Sequence, residues 1–268
     1  MSSNGIVNKY SVERNVDLAY KRWGEGNSQK IMLIHGWTGF KELWDSFAPN
    51  LVKNDYDVVV PDLRGHGDSS KPEMDYTHQV FSNDLYNLAK KLNWDKGFII
   101  LGQSMGGYIV LDYALQYPET LTHLISSNTS AYLARNLFSK IVWKMTIRMY
   151  RKNPEKLMRK MVPRFFLNPP TEKEVDFFVN SSLKTAKHAG LSAIKYCYER
   201  NLEPELHKIS IPTLVISSEH DQKDLRKATL AIHELIPNSE LVDIKDTGHL
   251  PFIENPDDFL NAIKGFTK

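Results

Sequence analysis

The chain has 268 residues, of which 41% are hydrophobic and 25% are charged. This is ordinary globular usage, and it excludes a collagen-like, a coiled-coil or an extensively disordered protein. The formal net charge of +2 is too small to indicate the clustered basic surface that nucleic-acid binding requires, so we expect no nucleic-acid partner.

The first predicted elements are strands. Alternating residues at 6–12 and 16–23 flank a polar turn and predict an antiparallel hairpin at a sheet edge. The run Ile31-Met32-Leu33-Ile34 is continuously apolar, which is typical of a strand buried on both faces of a parallel sheet. A helix is predicted over 41–54, followed by a strand at 58–60, which Pro61-Asp62 closes, and a glycine-rich loop at 64–68.

Strand and helix continue to alternate along the chain. Apolar residues at helical spacing predict a helix over 77–92, and the run at 98–101 predicts the next buried strand. The remaining predicted elements are helix 105–117, strand 121–127, strand 211–216, helix 225–235, strand 240–244 and helix 256–263. This alternation predicts an α/β fold with a mostly parallel, doubly wound sheet of about eight strands.

One long segment breaks this alternation. Residues 129–210 contain helical patterns and no convincing strand, so we expect an inserted helical cap on a core formed by residues 1–128 and 211–268. Between Ser130 and Glu205 there are 15 basic and 7 acidic residues, a local net charge of +8. The predicted cap is therefore the basic part of the chain.

The first predicted cap helix is amphipathic. Apolar residues recur at helical spacing along it, at Phe138, Ile141, Val142, Met145 and Met149, and basic residues interrupt them. The favoured interpretation is a helix that packs its apolar face on the body of the protein. One alternative is weak contact of this basic cap with an anionic lipid surface, and another is attraction of acidic substrates.

A candidate nucleophile lies in the run Gly102-Gln103-Ser104-Met105-Gly106. The pattern Gly-x-Ser-x-Gly is specific when a strand precedes it and a helix follows it, as is predicted here. The glycines leave room for a tight strand-to-helix turn. The start of the helix directs backbone N–H groups at a developing oxyanion. The context predicts that Ser104 is a covalent nucleophile.

Five motifs in a fixed order carry a family resemblance. They are His35-Gly36-Trp37, Asp62-Leu63-Arg64-Gly65-His66-Gly67, Gly102-Gln103-Ser104-Met105-Gly106-Gly107, Ile211-Pro212-Thr213-Leu214 and Gly248-His249. Over essentially its whole length the chain resembles the α/β-hydrolase-fold superfamily. Its motifs are most similar to small carboxylesterases of the cofactor-free haloperoxidase and perhydrolase group. The resemblance implies a serine hydrolase that needs no metal and no organic cofactor.

The resemblance also implies a catalytic triad, because a serine needs a base and a group that orients the base. This fold orders its triad as Ser, then Asp or Glu, then His. His249 is the only histidine after the last predicted strand, so it is the expected base. Glu219, Asp221 and Asp224 all follow the penultimate strand, and family spacing favours Asp221 as the acid.

Acyl transfer usually requires two backbone N–H donors for its oxyanion, one after the nucleophile and one from the loop after the third strand. In this chain those donors are expected from Met105 and Trp37. Because both are main-chain groups, their side chains are free to vary. We also expect the Trp37 side chain to line the acyl pocket.

The expected reaction is hydrolysis of a small-molecule carboxylic ester through an acyl-enzyme. Alternatives on the same triad are perhydrolysis or lactone hydrolysis, carbon–carbon bond hydrolysis, and amide or aminopeptidase cleavage. A non-enzymatic alternative is a ligand receptor that uses the pocket without turnover. No secretory signal and no apolar run of spanning length is visible, so we expect a cytoplasmic protein.

Overall fold

The computed structural model describes residues 5–268 apart from the side chain of His78, and it contains an eight-stranded sheet. The strands are β1 (Ile6–Glu13), β2 (Val16–Trp23), β3 (Gln29–Ile34), β4 (Tyr56–Pro61), β5 (Phe98–Gln103), β6 (Leu121–Ser127), β7 (Thr213–Ser218) and β8 (Ser239–Ile244). Their order is β1-β2-β4-β3-β5-β6-β7-β8. β1 and β2 pair antiparallel, as do β2 and β4, and all other pairs are parallel. The predicted fold class is confirmed.

Ten α-helices connect or follow these strands within the described range. They are α1 (Ala48–Val52), α2 (His78–Lys91), α3 (Met105–Gln116), α4 (Leu137–Lys152), α5 (Pro154–Met161), α6 (Glu172–Ser182), α7 (Lys187–Glu199), α8 (Lys223–Leu235), α9 (Pro251–Glu254) and α10 (Pro256–Phe266). Short 3-10 turns cover Lys41–Trp44, Pro118–Thr120, Val162–Phe165 and Glu203–Lys208. Among residues 5–268, no helix combines the length and the apolar character needed to cross a membrane.

The sheet separates two hydrophobic cores. In β5, Phe98 and Ile100 belong to one core and Ile99 and Leu101 to the other, because successive side chains of a strand point to opposite faces. Helices α2, α3 and α8 contribute to the first core, whereas α1 and α10 contribute to the second. Helices therefore cover both faces of the sheet, and this explains the continuous apolar runs in β3 and β5.

The prediction of one continuous helix over 41–54 is wrong. The segment instead forms the 3-10 turn Lys41–Trp44 and then the short helix α1, with Pro49 in its first turn. Proline has no N–H and suits a helix start, so it favours a new helix there. The break leaves the buried ammonium of Lys41 2.8 Å from a carboxylate oxygen of Asp62, which anchors the loop after β4.

All regular structure between β6 and β7 is helical. Residues 128–212, here called the helical insertion, contain α4 to α7 and two 3-10 turns. Capping boxes begin α4 at Asn136 and α6 at Thr171, and each satisfies backbone donors at a helix start. The structure thus has helices where the sequence indicated helices, while the division into a core and a cap stays a prediction.

The favoured interpretation of α4 is wrong about the face that meets the body. Leu137 is 74% exposed and Met145 59% exposed, although both belong to the apolar side of the helix. The opposite side packs inward through buried Tyr150, whose ring lies 4.8 Å from that of Trp37. Periodicity shows that a helix is amphipathic, but a helix with aromatic residues on both sides has two faces able to pack.

Candidate active site

Ser104 lies in the turn between β5 and α3. Its backbone has φ 57° and ψ −122°, a conformation that costs a non-glycine residue about 1–3 kcal/mol. Several hydrogen bonds hold it: the Ser104 amide donates to the Ser127 carbonyl at 3.0 Å, and the Ser104 carbonyl accepts from the Tyr108 amide at 3.1 Å. The Thr129 hydroxyl also donates to that carbonyl. The surrounding structure therefore fixes Ser104 in a strained position between strand and helix.

The glycines on either side of Ser104 allow this turn. A Cβ at Gly102 would lie 2.1 Å from the Gly106 carbonyl oxygen, and a Cβ at Gly106 would lie 2.4 Å from the Ile34 carbonyl oxygen. Both contacts are with backbone, which cannot move aside cheaply. Close approach of main chain to main chain thus requires glycine at 102 and 106.

Asp221 and His249 meet beside the carboxyl ends of β7 and β8. The Nδ1 atom of His249 donates to Asp221, with 3.2 Å to Oδ1 and 3.1 Å to Oδ2, and both side chains are buried. Burial opposes ionisation of Asp221. The attraction of His249 and the hydrogen bonds from His249, the Asn128 amide group and the Gln222 N–H nevertheless hold its pKa below the ordinary value. The arrangement keeps Asp221 ionised and directs Nδ1 of His249 towards it.

Two amide side chains that the sequence analysis did not single out complete this arrangement. The Asn128 Nδ2 atom donates to Asp221 Oδ2 at 2.9 Å, and the Gln103 Nε2 atom donates to the His249 carbonyl at 2.9 Å. The His249 amide donates to the Phe165 carbonyl at 2.7 Å. Asn128 directly follows β6, and Gln103 precedes Ser104 at the end of β5. The position of each amide at the end of a strand is the sequence feature that could have indicated a role in the site.

The loop after β3 passes directly beside Ser104. A Cβ built on Gly36 would lie 3.1 Å from Cβ of Ser104, and Gly36 and Trp37 both line the same cavity as Ser104. The Trp37 indole donates to the Gly190 carbonyl at 2.8 Å, which ties this loop to α7. Met105 is the first residue of α3, so its N–H has no partner within the helix.

His35 and His66 are buried outside this cavity. Nε2 of His35 accepts from the Leu63 amide at 3.0 Å, and its Nδ1 lies 2.9 Å from the Gly36 carbonyl. Desolvation lowers the pKa of His35 to about 4 and that of His66 to about 3. Both rings are therefore neutral near pH 7, and His35 links the loops after β3 and β4.

Acid should weaken the fold through His35. Its pKa falls from 6.5 to about 4 on folding, so its stabilising contribution is complete above pH 6.5 and is lost as the pH falls towards 4. Between pH 7 and pH 5 the loss is about 2 kcal/mol. In urea unfolding, we expect the destabilisation caused by His35→Gln to be smaller at pH 5 than at pH 7 by about that amount.

The matched control for this experiment is His207→Gln, because His207 is exposed at the surface. Measured at the same two pH values, this variant corrects for effects of pH and of a His→Gln substitution that do not depend on burial at position 35. An equal cost of His35→Gln at pH 5 and at pH 7 would contradict the burial of a neutral imidazole at this position.

The cavity beside Ser104 has a volume of about 610 Å³, which lies in the range of small-molecule sites. Ser104, Met105, Trp37 and His249 line it from the sheet side. The helical insertion contributes mainly apolar side chains, among them Leu133, Phe138, Val142, Trp143, Met158, Met161, Val162, Phe165, Phe178 and Ile194. Nucleophile and base candidates thus share one largely apolar cavity.

Among the described residues, neither of the other candidate acids forms a hydrogen bond with His249. Asp224 is exposed in the first turn of α8. Glu219 is 3.6 Å from the Lys245 ammonium, and with His220 and Asp246 it forms a surface group whose ligand atoms lie within 4.8 Å of one another. That group is the one set of three potential metal ligands among the described residues. None of its members lines the cavity.

Comparison with known proteins places these features in a family. Residues 30–256 match the family model described as alpha/beta hydrolase fold. Lipase 3 of Moraxella sp. (strain TA144) is 28% identical over 248 residues, which cover 89% of this chain and 77% of the lipase. A 2-hydroxy-6-oxo-6-(2'-aminophenyl)hexa-2,4-dienoic acid hydrolase of Metapseudomonas resinovorans is 26% identical. The match covers 99% of this chain and 92% of that hydrolase.

A solved structure supports the same placement at the level of the fold. The bromoperoxidase of Bacillus anthracis superposes with a TM-score of 0.88, at 22% identity, and the match covers 97% of this chain and 99% of the other. The family match spans most of the chain and includes Ser104, Asp221 and His249. The chain therefore belongs to the alpha/beta hydrolase fold family and is a hydrolase of that family.

Proposed function

We propose that the protein is a carboxylic-ester hydrolase that forms an acyl-enzyme on Ser104. The observation that carries the proposal is the sharing of one apolar cavity by Ser104, held at φ 57°, and His249, whose Nδ1 is hydrogen-bonded to buried Asp221. A strained serine beside an oriented imidazole is the arrangement that activates a hydroxyl. The similarity to a lipase favours an ester substrate.

The first half-reaction acylates the enzyme. Nε2 of His249 takes the Ser104 hydroxyl proton while the Ser104 oxygen forms a bond to the ester carbonyl carbon. The resulting oxyanion accepts hydrogen bonds from the N–H groups of Trp37 and Met105. The carbon–oxygen bond to the alcohol then breaks, and His249 returns its proton to the departing alkoxide. Asp221 stays ionised and stabilises the imidazolium throughout.

The second half-reaction returns the free enzyme. His249 removes a proton from water, whose oxygen attacks the acyl carbon and forms a second oxyanion at the same two N–H groups. The bond to Ser104 then breaks, and the proton on His249 moves to the serine oxygen. The products are an acid and an alcohol.

The cavity lining predicts the acyl preference. Because the helical insertion supplies mostly apolar side chains, each added methylene that enters the cavity gains about 0.8 kcal/mol. We expect kcat/KM for p-nitrophenyl esters to rise about fourfold per methylene from acetate until the cavity is filled. Initial rates across the acyl series, measured beside anilide amides, lactones, a dienoic acid and peracid formation, test this preference.

Two results would overturn the ester assignment. One is turnover of an amide, a lactone or a dienoic acid with a kcat/KM well above that of every ester in the series. The other is binding of these esters without turnover, which the receptor alternative predicts. If esters are the best substrates but kcat/KM does not rise with acyl length, the assigned acyl pocket is wrong. That result would not contradict ester hydrolysis itself.

A further inference from the structure

Helix α4 carries an apolar stripe that faces solvent. Of the 12 large hydrophobic residues that are exposed in the described part of the chain, 5 lie on this helix. They are Leu137 (74% exposed), Phe138 (65%), Ile141 (50%), Val142 (41%) and Met145 (59%). Concentration on one helix distinguishes this stripe from the scattered apolar residues that any protein surface contains, and such patches mark interaction sites.

The stripe runs along the helix and reaches the cavity. Leu137, Ile141 and Met145 follow one another at intervals of four, so they form one row on the surface of the helix. Phe138 and Val142 form the adjacent row, and both also line the cavity beside Ser104. The exposed apolar surface is therefore continuous with the opening of the candidate active site.

A basic row borders the other side of this stripe. Lys140, Lys144 and Arg148 are spaced by four residues, and Arg151 and Lys152 extend the positive charge at the end of the helix. Helix α4 contains no acidic residue. Within residues 5–268, none of its five basic side chains forms an ion pair. This charge faces solvent without compensation.

We propose that α4 is a docking surface for an anionic lipid bilayer. The row of Leu137, Ile141 and Met145 inserts among the lipids, and the basic row contacts the anionic headgroups, as in amphipathic helices that lie in the membrane interface. A second copy of this chain fits less well, because pairing two α4 helices would bring two uncompensated basic rows together. Binding in this orientation turns the cavity opening towards the lipid surface.

Sedimentation of the 268-residue protein with vesicles tests the proposal, and it requires no turnover. We expect binding to phosphatidylcholine vesicles that contain phosphatidylglycerol, weaker binding in high salt, and little binding to phosphatidylcholine alone. The double variant K144Q/R148Q should bind about 25-fold more weakly, at about fivefold per charge. The triple variant L137S/I141S/M145S should lose about 100-fold in affinity.

Two control variants make the same types of substitution on parts of the surface outside α4. The variant I6S/V7S removes two exposed apolar residues of β1, and K53Q/K96Q removes two exposed charges near the amino ends of β4 and β5. Both controls should bind as the wild type does. All α4 substitutions are at exposed positions outside the cavity lining, so soluble-ester turnover and thermal unfolding report whether each variant is folded.

Three outcomes would overturn the proposal. The first is a wild-type protein that does not bind anionic vesicles. The second is binding that the controls reduce as much as the α4 variants do. The third is a concentration-dependent dimer in light scattering that the triple variant abolishes, since that would identify a second copy as the occupant of α4. Each is independent of whether Ser104 hydrolyses esters.

Discussion

Ser104→Ala is expected to lower kcat for ester hydrolysis about a million-fold, because no other group can form the acyl bond at this position. Alanine has the same backbone freedom as serine, so the strained turn at 104 tolerates the change and the fold should persist. Progress curves with p-nitrophenyl butyrate measure the loss, and circular dichroism and thermal unfolding report the fold. Residual catalysis should come from substrate binding and the oxyanion donors alone.

Ser182→Ala is the control for this variant, because Ser182 is a second serine that lines the same cavity. It should keep kcat within a factor of about two, as expected for a side chain that makes no bond to the reacting atoms. If folded Ser104→Ala protein retained a readily measured fraction of wild-type turnover, the proposed nucleophile would be wrong.

Asp221→Asn is expected to lower kcat at neutral pH by about 10⁴-fold. The carboxylate accepts the proton of His249 Nδ1 at 3.1 Å, and this bond leaves Nε2 unprotonated and available as the base. An amide at 221 also presents a donor, which favours the wrong tautomer, and it cannot stabilise the imidazolium. Steady-state kinetics across a pH range would separate loss of kcat from any change in KM.

Asp224→Asn provides the comparison, since Asp224 also follows β7 and lines the cavity but is exposed. Its substitution should leave kcat within a few-fold of the wild type. If both variants fold and Asp224→Asn loses more kcat than Asp221→Asn, the acid of the triad is Asp224 and the assignment of Asp221 is wrong.

Much of the fold followed from local patterns. Continuous apolar runs predicted the strands at 31–34 and 98–101 because both faces of a parallel sheet are covered, and the structure confirms them as β3 and β5. The helix over 41–54 failed for a local reason too, since Pro49 favours a new helix start. In such cases, the residues that determine whether a helix or a strand forms lie within a few positions of that element.

The candidate site was predictable only in part. Ser104 stands in a local strand-turn-helix pattern, and the proposed roles of Asp221 and His249 follow from their chain order in the family. Asn128 and Gln103 were not found, because their partners lie 93 and 146 residues away along the chain. An amide at a strand end gives no local indication of which distant carboxylate or carbonyl it will contact.

The prediction of which face of α4 packs on the body was also wrong, because that choice depends on tertiary contacts. Its apolar row and its aromatic row, with Trp143 and Tyr150, both satisfy helical spacing. The second row packs against the body, where the Tyr150 ring lies 4.8 Å from Trp37. The choice between two faces depends on which one fits the partner surface, and that fit is not encoded in the helix itself.

Labelling with a fluorophosphonate tests the central claim most directly, because only an activated serine attacks phosphorus quickly. We expect the folded protein to gain one adduct, and peptide mass spectrometry should place it on Ser104. Ser104→Ala should abolish the adduct, and His249→Ala should slow its formation strongly. Absence of an adduct on the folded wild-type protein, or an adduct at a different residue, would contradict an activated nucleophile at Ser104.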